Sequence, residues 1–179
     1  VLAADREGAV AATRHLLGQG HRRIAFMGGP PTTDSGRDRF TGFAQTLAEA
    51  GLAPDPALVR RGPFEVGFGA QAMTELLRAG PAPTALMLSN HEAIYGALPV
   101  LARAGLEIPA DLSVVAFEDM PLLEWWSPPI TAVDTGAHEL GRLAVDLLLQ
   151  PVNGPEVRPK RYTVGAELVV RSSTAPPAG

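Results

Sequence analysis

The chain has 179 residues, 46% of them hydrophobic and 19% charged, which is enough for one sizeable domain or two small lobes around an apolar core. Fifteen basic against 19 acidic residues leave a formal net charge of −4, which argues against a nucleic-acid-binding face within this segment, because such a face needs a basic stripe. Cysteine is absent, so disulfide frameworks and thiolate metal sites are excluded, and no apolar run approaches the ~20 residues of a membrane-spanning helix.

The sequence opens on Val1–Leu2 without a methionine or a signal-peptide pattern, and reads as a fragment of a longer chain. Val1–Asp5 reads as the end of an extended segment. Glu7–Gln19 predicts a helix, with Val10, Ala11, Leu16 and Leu17 apolar and Gly20 as its stop. Arg23–Gly28 predicts a strand, and Gly29–Thr33 a proline-bearing loop. A helix is predicted from about Gly36 to Ala50, where Ser35 and Asp38 have capping-box spacing. Pro56–Arg61 contains a short strand, Phe64–Ala79 a helix and Pro83–Ser89 a buried strand. Asn90 is placed to cap a helix running to about Ala104, and Glu92 suits its positive end.

Gly105–Asp111 connects to the run Ser113–Asp119, whose apolar Val114–Phe117 suits a strand buried on both faces. Leu122–Pro129 reads as a loop rich in tryptophan and proline. Asp134–Gln150 predicts an amphipathic helix through Leu140, Leu143, Ala144, Leu147 and Leu148. Pro151–Pro159 reads as a polar loop, Arg161–Ser173 as one or two strands, and Thr174–Gly179 as a loose tail. This alternation predicts the α/β class, with a doubly wound, mainly parallel sheet and right-handed crossovers that put helices on both faces.

Four predicted strands end in loops that open on one edge of the sheet, where ligands bind in open α/β folds. The first loop carries Asp34, Ser35, Arg37 and Arg39; the second, Phe64; the third, Ser89 and Asn90; the fourth, Glu118 and Asp119, followed by Trp125 and Trp126. A cleft holding a small polyhydroxylated ring needs such a set, with aimed donors and acceptors plus an aromatic face. Singly, each residue has a plainer reading. The arginines suit a solvated first turn, Asn90 a helix cap, Phe64 the core, and the tryptophans a subunit contact. Convergence on one edge is the argument for a site.

Catalytic patterns are poor. His15, His21, His91 and His138 lack metal-ligand spacing, and neither G-x-S-x-G nor a Walker A loop occurs. Gly67–Ala72 imitates G-x-G-x-x-A, but five residues, 62–66, part it from the preceding strand and no acid ends the next one. The expectation is a non-enzyme without cofactor or metal.

Several runs together carry a family resemblance: HLLGQGHRRIAFMGG at His15–Gly29, RFTGF at Arg39–Phe43, PTALMLSN at Pro83–Asn90 and GLEIPADLSVVAFED at Gly105–Asp119, then PPIT at Pro128–Thr131 and LVVRSST at Leu168–Thr174. In order and spacing these resemble the LacI/GalR family of transcriptional regulators over essentially the whole chain. The resemblance implies a type I periplasmic-binding-protein-like core of two lobes, crossed three times by the chain. Residues 1–133 would then be C-terminal lobe, 134–168 a helix and strand of the N-terminal lobe, and 169–179 the return, with the helix-turn-helix domain outside this chain. It also implies a cytoplasmic homodimeric repressor that senses a small effector, with a sugar as the expected class, and contacts operator DNA through that domain. Arg39 matches the effector-binding arginine, Phe64 the stacking aromatic, Asn90 the asparagine of an Asn-Asp pair, and Glu118 the first acid after the central strand. Ser35, Asp34 and Trp126 complete the expected effector-binding set. His91 departs from the usual aspartate, and Glu118 reaches one methylene further than aspartate. The alternative is an extracytoplasmic sugar-binding protein of related fold serving transport.

Overall fold

The computed structural model describes residues 1–149 and 160–178. The elements are β1 (Leu2–Ala3), α1 (Asp5–Gly18), β2 (Ile24–Gly28), α2 (Asp34–Glu49), β3 (Val59–Arg61), α3 (Val66–Arg78), β4 (Ala85–Leu88), α4 (His91–Arg103), β5 (Ser113–Phe117), α5 (Pro121–Trp125), β6 (Thr131–Asp134), α6 (Ala137–Leu149), β7 (Thr163–Val164) and β8 (Glu167–Val169). Six strands form one sheet in the order β3-β2-β4-β5-β6-β8, parallel except for β8, which runs antiparallel to β6. The mainly parallel, doubly wound sheet is as expected.

The two-residue period of a strand divides the core in two. Leu86 and Leu88 of β4 and Val114 and Ala116 of β5 pack on one face, with Met73, Leu76, Ile94 and Leu98 of α3 and α4. Ala85, Met87, Val115 and Phe117 pack on the other, with Leu16, Phe43 and Leu47 of α1 and α2. Strands covered on both faces therefore read as unbroken apolar runs, which is why they were legible. Gly96 lets α3 and α4 touch: a Cβ there would lie 2.5 Å from Ala70 N and Val66 O.

Some local expectations are corrected. Helix α2 begins at Asp34, and its cap is Thr33, whose Oγ1 accepts from Gly36 N at 3.2 Å. Ser35 and Asp38 therefore lie inside the first turns and form no capping box. The Leu122–Pro129 loop begins within the short helix α5. The run Thr131–Asp134 is a strand, paired with β5 and β8, and α6 starts only at Ala137 after Asp134 Oδ1 accepts from Gly136 N. Gln150 and the expected polar loop over 151–159 lie outside the described residues.

Thr174 and Ala175, at the start of the expected loose tail, are tied down. Val114 N donates to Ser173 O at 2.9 Å, and Ala175 N donates to Ser113 Oγ at 3.0 Å. His15 Nε2 lies 2.8 Å from Thr174 Oγ1, and His21 Nε2 donates to Ala175 O at 2.9 Å. Backbone groups beside a sheet need partners, and here β5 and His21, which follows α1, supply them, while His15 of α1 holds the Thr174 hydroxyl.

β1 and β7 pair with each other in a separate two-stranded sheet, Leu2 opposite Thr163, and α6 packs on β1. No described residue of α6 is buried, and Leu148 is 82% exposed. Its apolar stripe has the helical period but only a partial covering.

Candidate functional site

Parallel strands bring the ends of β2, β4 and β5 to one edge, and the loops that follow them carry the polar side chains. Arg39, in the second turn of α2, reaches across this edge and is buried. Its Nε donates to Asp5 Oδ1 at 2.7 Å, Nη1 donates to the carbonyl of Ser89, and Nη1 and Nη2 each donate to Glu118 Oε1 at 3.2 Å. Its guanidinium carbon lies 4.6 Å from the centre of the Phe117 ring. A buried guanidinium must be paired, and two carboxylates, a carbonyl and an aromatic face do this here.

Glu118 sits just past β5 with φ 70. Few side-chain-bearing residues adopt this left-handed region, and holding one there costs roughly 1–3 kcal/mol. The contacts of its carboxylate offset that cost: Arg39 on Oε1, and His91 Nδ1 at 2.6 Å from Oε2. The neighbouring Asp119 is engaged elsewhere. Arg171 grips both its oxygens at 2.9 and 2.7 Å and also donates to Ile130 O. This pair ties the segment after β8 to the end of β5.

Ser89 and Asn90 are buried where β4 gives way to α4. Asn90 is extended and makes no capping bond to the helix; its Nδ2 donates to Glu92 Oε2 at 2.9 Å. Among the described residues, Ser89 Oγ and Asn90 Oδ1 have no hydrogen-bond partner. A buried polar atom without a partner costs about 1–3 kcal/mol, so two on consecutive residues at a strand end call for an explanation.

Phe64 lies before α3, 40% exposed, with its ring against Gly29 of the loop after β2. A side chain at Gly29 would overlap that ring. Asp34 and Ser35 stand at the start of α2, where Asp34 pairs with Arg37 at the surface. The structure thus joins Arg39 directly to Glu118 and to the Ser89 carbonyl, with Asn90 next in the chain after Ser89, and sets Phe64 before α3 and Asp34 and Ser35 in the first turn of α2. Trp126 is elsewhere. It packs on the α3–α4 core and lines a cavity of about 300 Å³ with Leu98, Leu101, Leu106 and Ile108. The short helix α5 turns the chain there, and burial of the indole draws it toward α4.

Asp5 and His91 were missed as members of the cluster. Asp5 lies 34 positions from Arg39, and no local pattern couples them. His91 carried a signal, its place directly after Asn90. Arg61 is a further finding at this edge. Its guanidinium lies 4.5 Å from the Phe40 ring centre and donates to Gly36 O at 3.0 Å, and burial lowers its pKa. Among the described residues, no group of three or more His, Cys, Asp or Glu is placed to hold a metal.

A doubly wound sheet with polar side chains and an aromatic face at its carboxyl edge has the arrangement in which open α/β folds hold ligands. The family profile described as periplasmic binding protein-like domain matches residues 13–174. The HTH-type transcriptional repressor CytR of Escherichia coli (strain K12) is 34% identical over 163 residues, covering 91% of this chain and 48% of the repressor. A transcriptional regulator CelR–cellobiose complex is 33% identical with a TM-score of 0.88, over 96% of this chain and 52% of that one. A LacI-family transcriptional regulatory protein from Corynebacterium glutamicum is 30% identical with a TM-score of 0.84, over 98% of this chain and 68% of that one. The chain belongs to the periplasmic-binding-protein-like domain family, in the form carried by LacI-family transcriptional regulators. It spans about half the length of CytR, and no described helix is long and apolar enough to cross a membrane.

Proposed function

We propose that this chain is the larger part of the effector-binding core of a LacI-type transcriptional repressor, and that a small polar ligand binds against the carboxyl edge of β2, β4 and β5. The observation that carries this reading is the buried Arg39–Glu118 pair at that edge, with Ser89 Oγ and Asn90 Oδ1, buried and without partners among the described residues, in the segment whose Ser89 carbonyl Arg39 grips. A ligand hydroxyl or ring nitrogen would satisfy them, and Phe64 offers the apolar face. Arg39, Phe64, Asn90, Glu118, Ser35 and Asp34 form the proposed lining. A sugar is the expected ligand class, supported by the cellobiose complex of the CelR neighbour.

In this reading α6, β1 and β7 belong to a second lobe, which moves Leu2–Ala3 out of the expected 1–133 lobe and returns Glu167 and Leu168 of β8 to it, and the uncovered stripe on α6 supports that assignment. Effector binding changes lobe closure, provided the ligand prefers one closure state. The protein works as a cytoplasmic homodimer, with exposed Tyr95 of α4 and Trp125 as contact candidates, and reaches operator DNA through a helix-turn-helix outside this sequence. The test is a thermal-shift screen of the full-length protein against neutral sugars and nucleosides. Arg39→Ala and Glu118→Ala are expected to abolish the shift of any ligand found. An unchanged shift in both variants would remove this edge as the site.

A further inference from the structure

We infer that His91, rather than Glu118, makes the ligand contact where β5 meets α4, and that Glu118 is a positioning residue that sets the imidazole. The inference rests on the effector-site reading above and deepens it. The Glu118 carboxylate is held from within the chain on both oxygens: the Arg39 fork fills Oε1, and His91 Nδ1 lies 2.6 Å from Oε2. An ionised carboxylate only accepts, so Nδ1 carries the proton. The hydrogen bond at one ring nitrogen decides the state of the other, and Nε2 of the neutral ring is left as an acceptor. The imidazole is also the outer of the two groups, with its side chain 53% exposed against 24% for Glu118.

The charged groups around the ring are Glu118, Arg39 behind it, Asp5 behind Arg39, and Glu92 on the same helix, which is bonded to Asn90. Arg39 is shared between two acids and the Ser89 carbonyl, and its bonds to Asp5 and Ser89 hold the guanidinium with Nη1 and Nη2 facing Glu118 Oε1. This defines the ligand chemistry. A carboxylate that chelates two adjacent hydroxyls needs both oxygens open, and Glu118 has Oε1 filled twice. The corner instead reads one donor, a single hydroxyl or ring N–H aimed at His91 Nε2. With aspartate at position 91, the same corner would present an open carboxylate and one more negative charge.

Long-range proton–nitrogen NMR of the full-length protein, with labelled histidine and no ligand, reads which ring nitrogen is protonated at mildly alkaline pH. The expected result is an Nδ1–H ring at His91 in the native protein and in Glu118→Gln, whose amide oxygen still accepts. In Glu118→Ala the preference is lost. An Nε2–H ring in the native protein, or an unchanged ring in Glu118→Ala, overturns the positioning role. Cellobiose, D-ribose and adenosine are then added as probes. With any probe that raises the melting temperature, the Nε2 signal is expected to move, and His91→Gln, which places an amide near Nε2, is expected to keep more affinity than His91→Asn. A still Nε2 signal under a stabilising probe overturns the contact. If no probe stabilises the protein, the effector reading suffers, while the ligand-free spectra still decide whether Glu118 positions His91.

Discussion

Replacing Arg39 by methionine tests the energetics of the site most directly. Methionine keeps most of the side-chain length and the apolar contact with the core, so the change isolates the charge and its hydrogen bonds. The loss strands Asp5 and leaves Glu118 with His91 alone; their side chains are 14% and 24% exposed. Removing one partner from a buried ion pair costs roughly 3–5 kcal/mol, because the remaining charge is left desolvated. Both acids retain some access to water, which favours the lower end of that range, and loss of the Phe117 cation–π contact adds about 0.5–1 kcal/mol. The expected destabilisation is about 3–4 kcal/mol. With a urea slope of about 2 kcal/mol/M, the unfolding midpoint falls by about 1.5–2 M. Urea unfolding of the full-length protein, followed by far-ultraviolet circular dichroism, measures it. Adding Asp5→Asn to Arg39→Met removes one stranded charge and is expected to recover about 1 kcal/mol or more, the coupling a double-mutant cycle detects. A loss below about 1 kcal/mol in the single variant, with no recovery in the double, would refute the reasoning and mark the cluster as no stronger than a surface pair.

Other expectations are simpler. Burial lowers the pKa of both His15 and His21 from 6.5. The unfolded chain then takes up protons first as pH falls below about 6.5, so their contribution to stability is full above that pH and declines below it. Urea midpoints are expected to drop between about pH 7.5 and 5.5, with a smaller drop in His21→Asn; an equal drop in that variant would discard His21 as a source. Gly96→Leu drives a side chain into the backbone of α3 and is expected to lower stability by 3 kcal/mol or more, beyond the usual ~1–3 kcal/mol of core overpacking, because backbone cannot rotate away; thermal melting reads this. Arg171→Lys keeps the charge but loses the fork on Asp119 and is expected to cost about 1–2 kcal/mol in urea unfolding. Phe64→Ala is expected to weaken a stacked ligand roughly tenfold by calorimetry while shifting the melting temperature of the free protein little.

How far the chain could be read before folding depended on whether a feature was local. β4 and β5 were legible because strands covered on both faces are apolar throughout, and α3 and α4 because their buried faces repeat at helical spacing. β6 was not, because Thr131–Asp134 follows directly on a proline-bearing loop and its end was absorbed into the α6 pattern. The capping box failed for a related reason: Ser35–Asp38 and Thr33–Gly36 have the same spacing, and only backbone geometry shows that Thr33 is the extended residue. Arg39, Asn90 and Glu118 were foreseeable as a group because parallel strands deliver their carboxyl ends to one edge.

By itself, then, the sequence determined the alternation of strands and helices up to β5, the two-faced core and the edge on which polar side chains collect, since these follow from periodicities within single elements. Tertiary structure alone decided which of those side chains face one another. It joined Asp5 to Arg39, turned Glu118 between Arg39 and His91, spent Asp119 on Arg171, sent Trp126 back against α4 and bound the tail to His15, His21 and Ser113. Hydrogen bonds and ion pairs act over about 3 Å, and residues far apart in the chain come that close only after the helices and strands have packed.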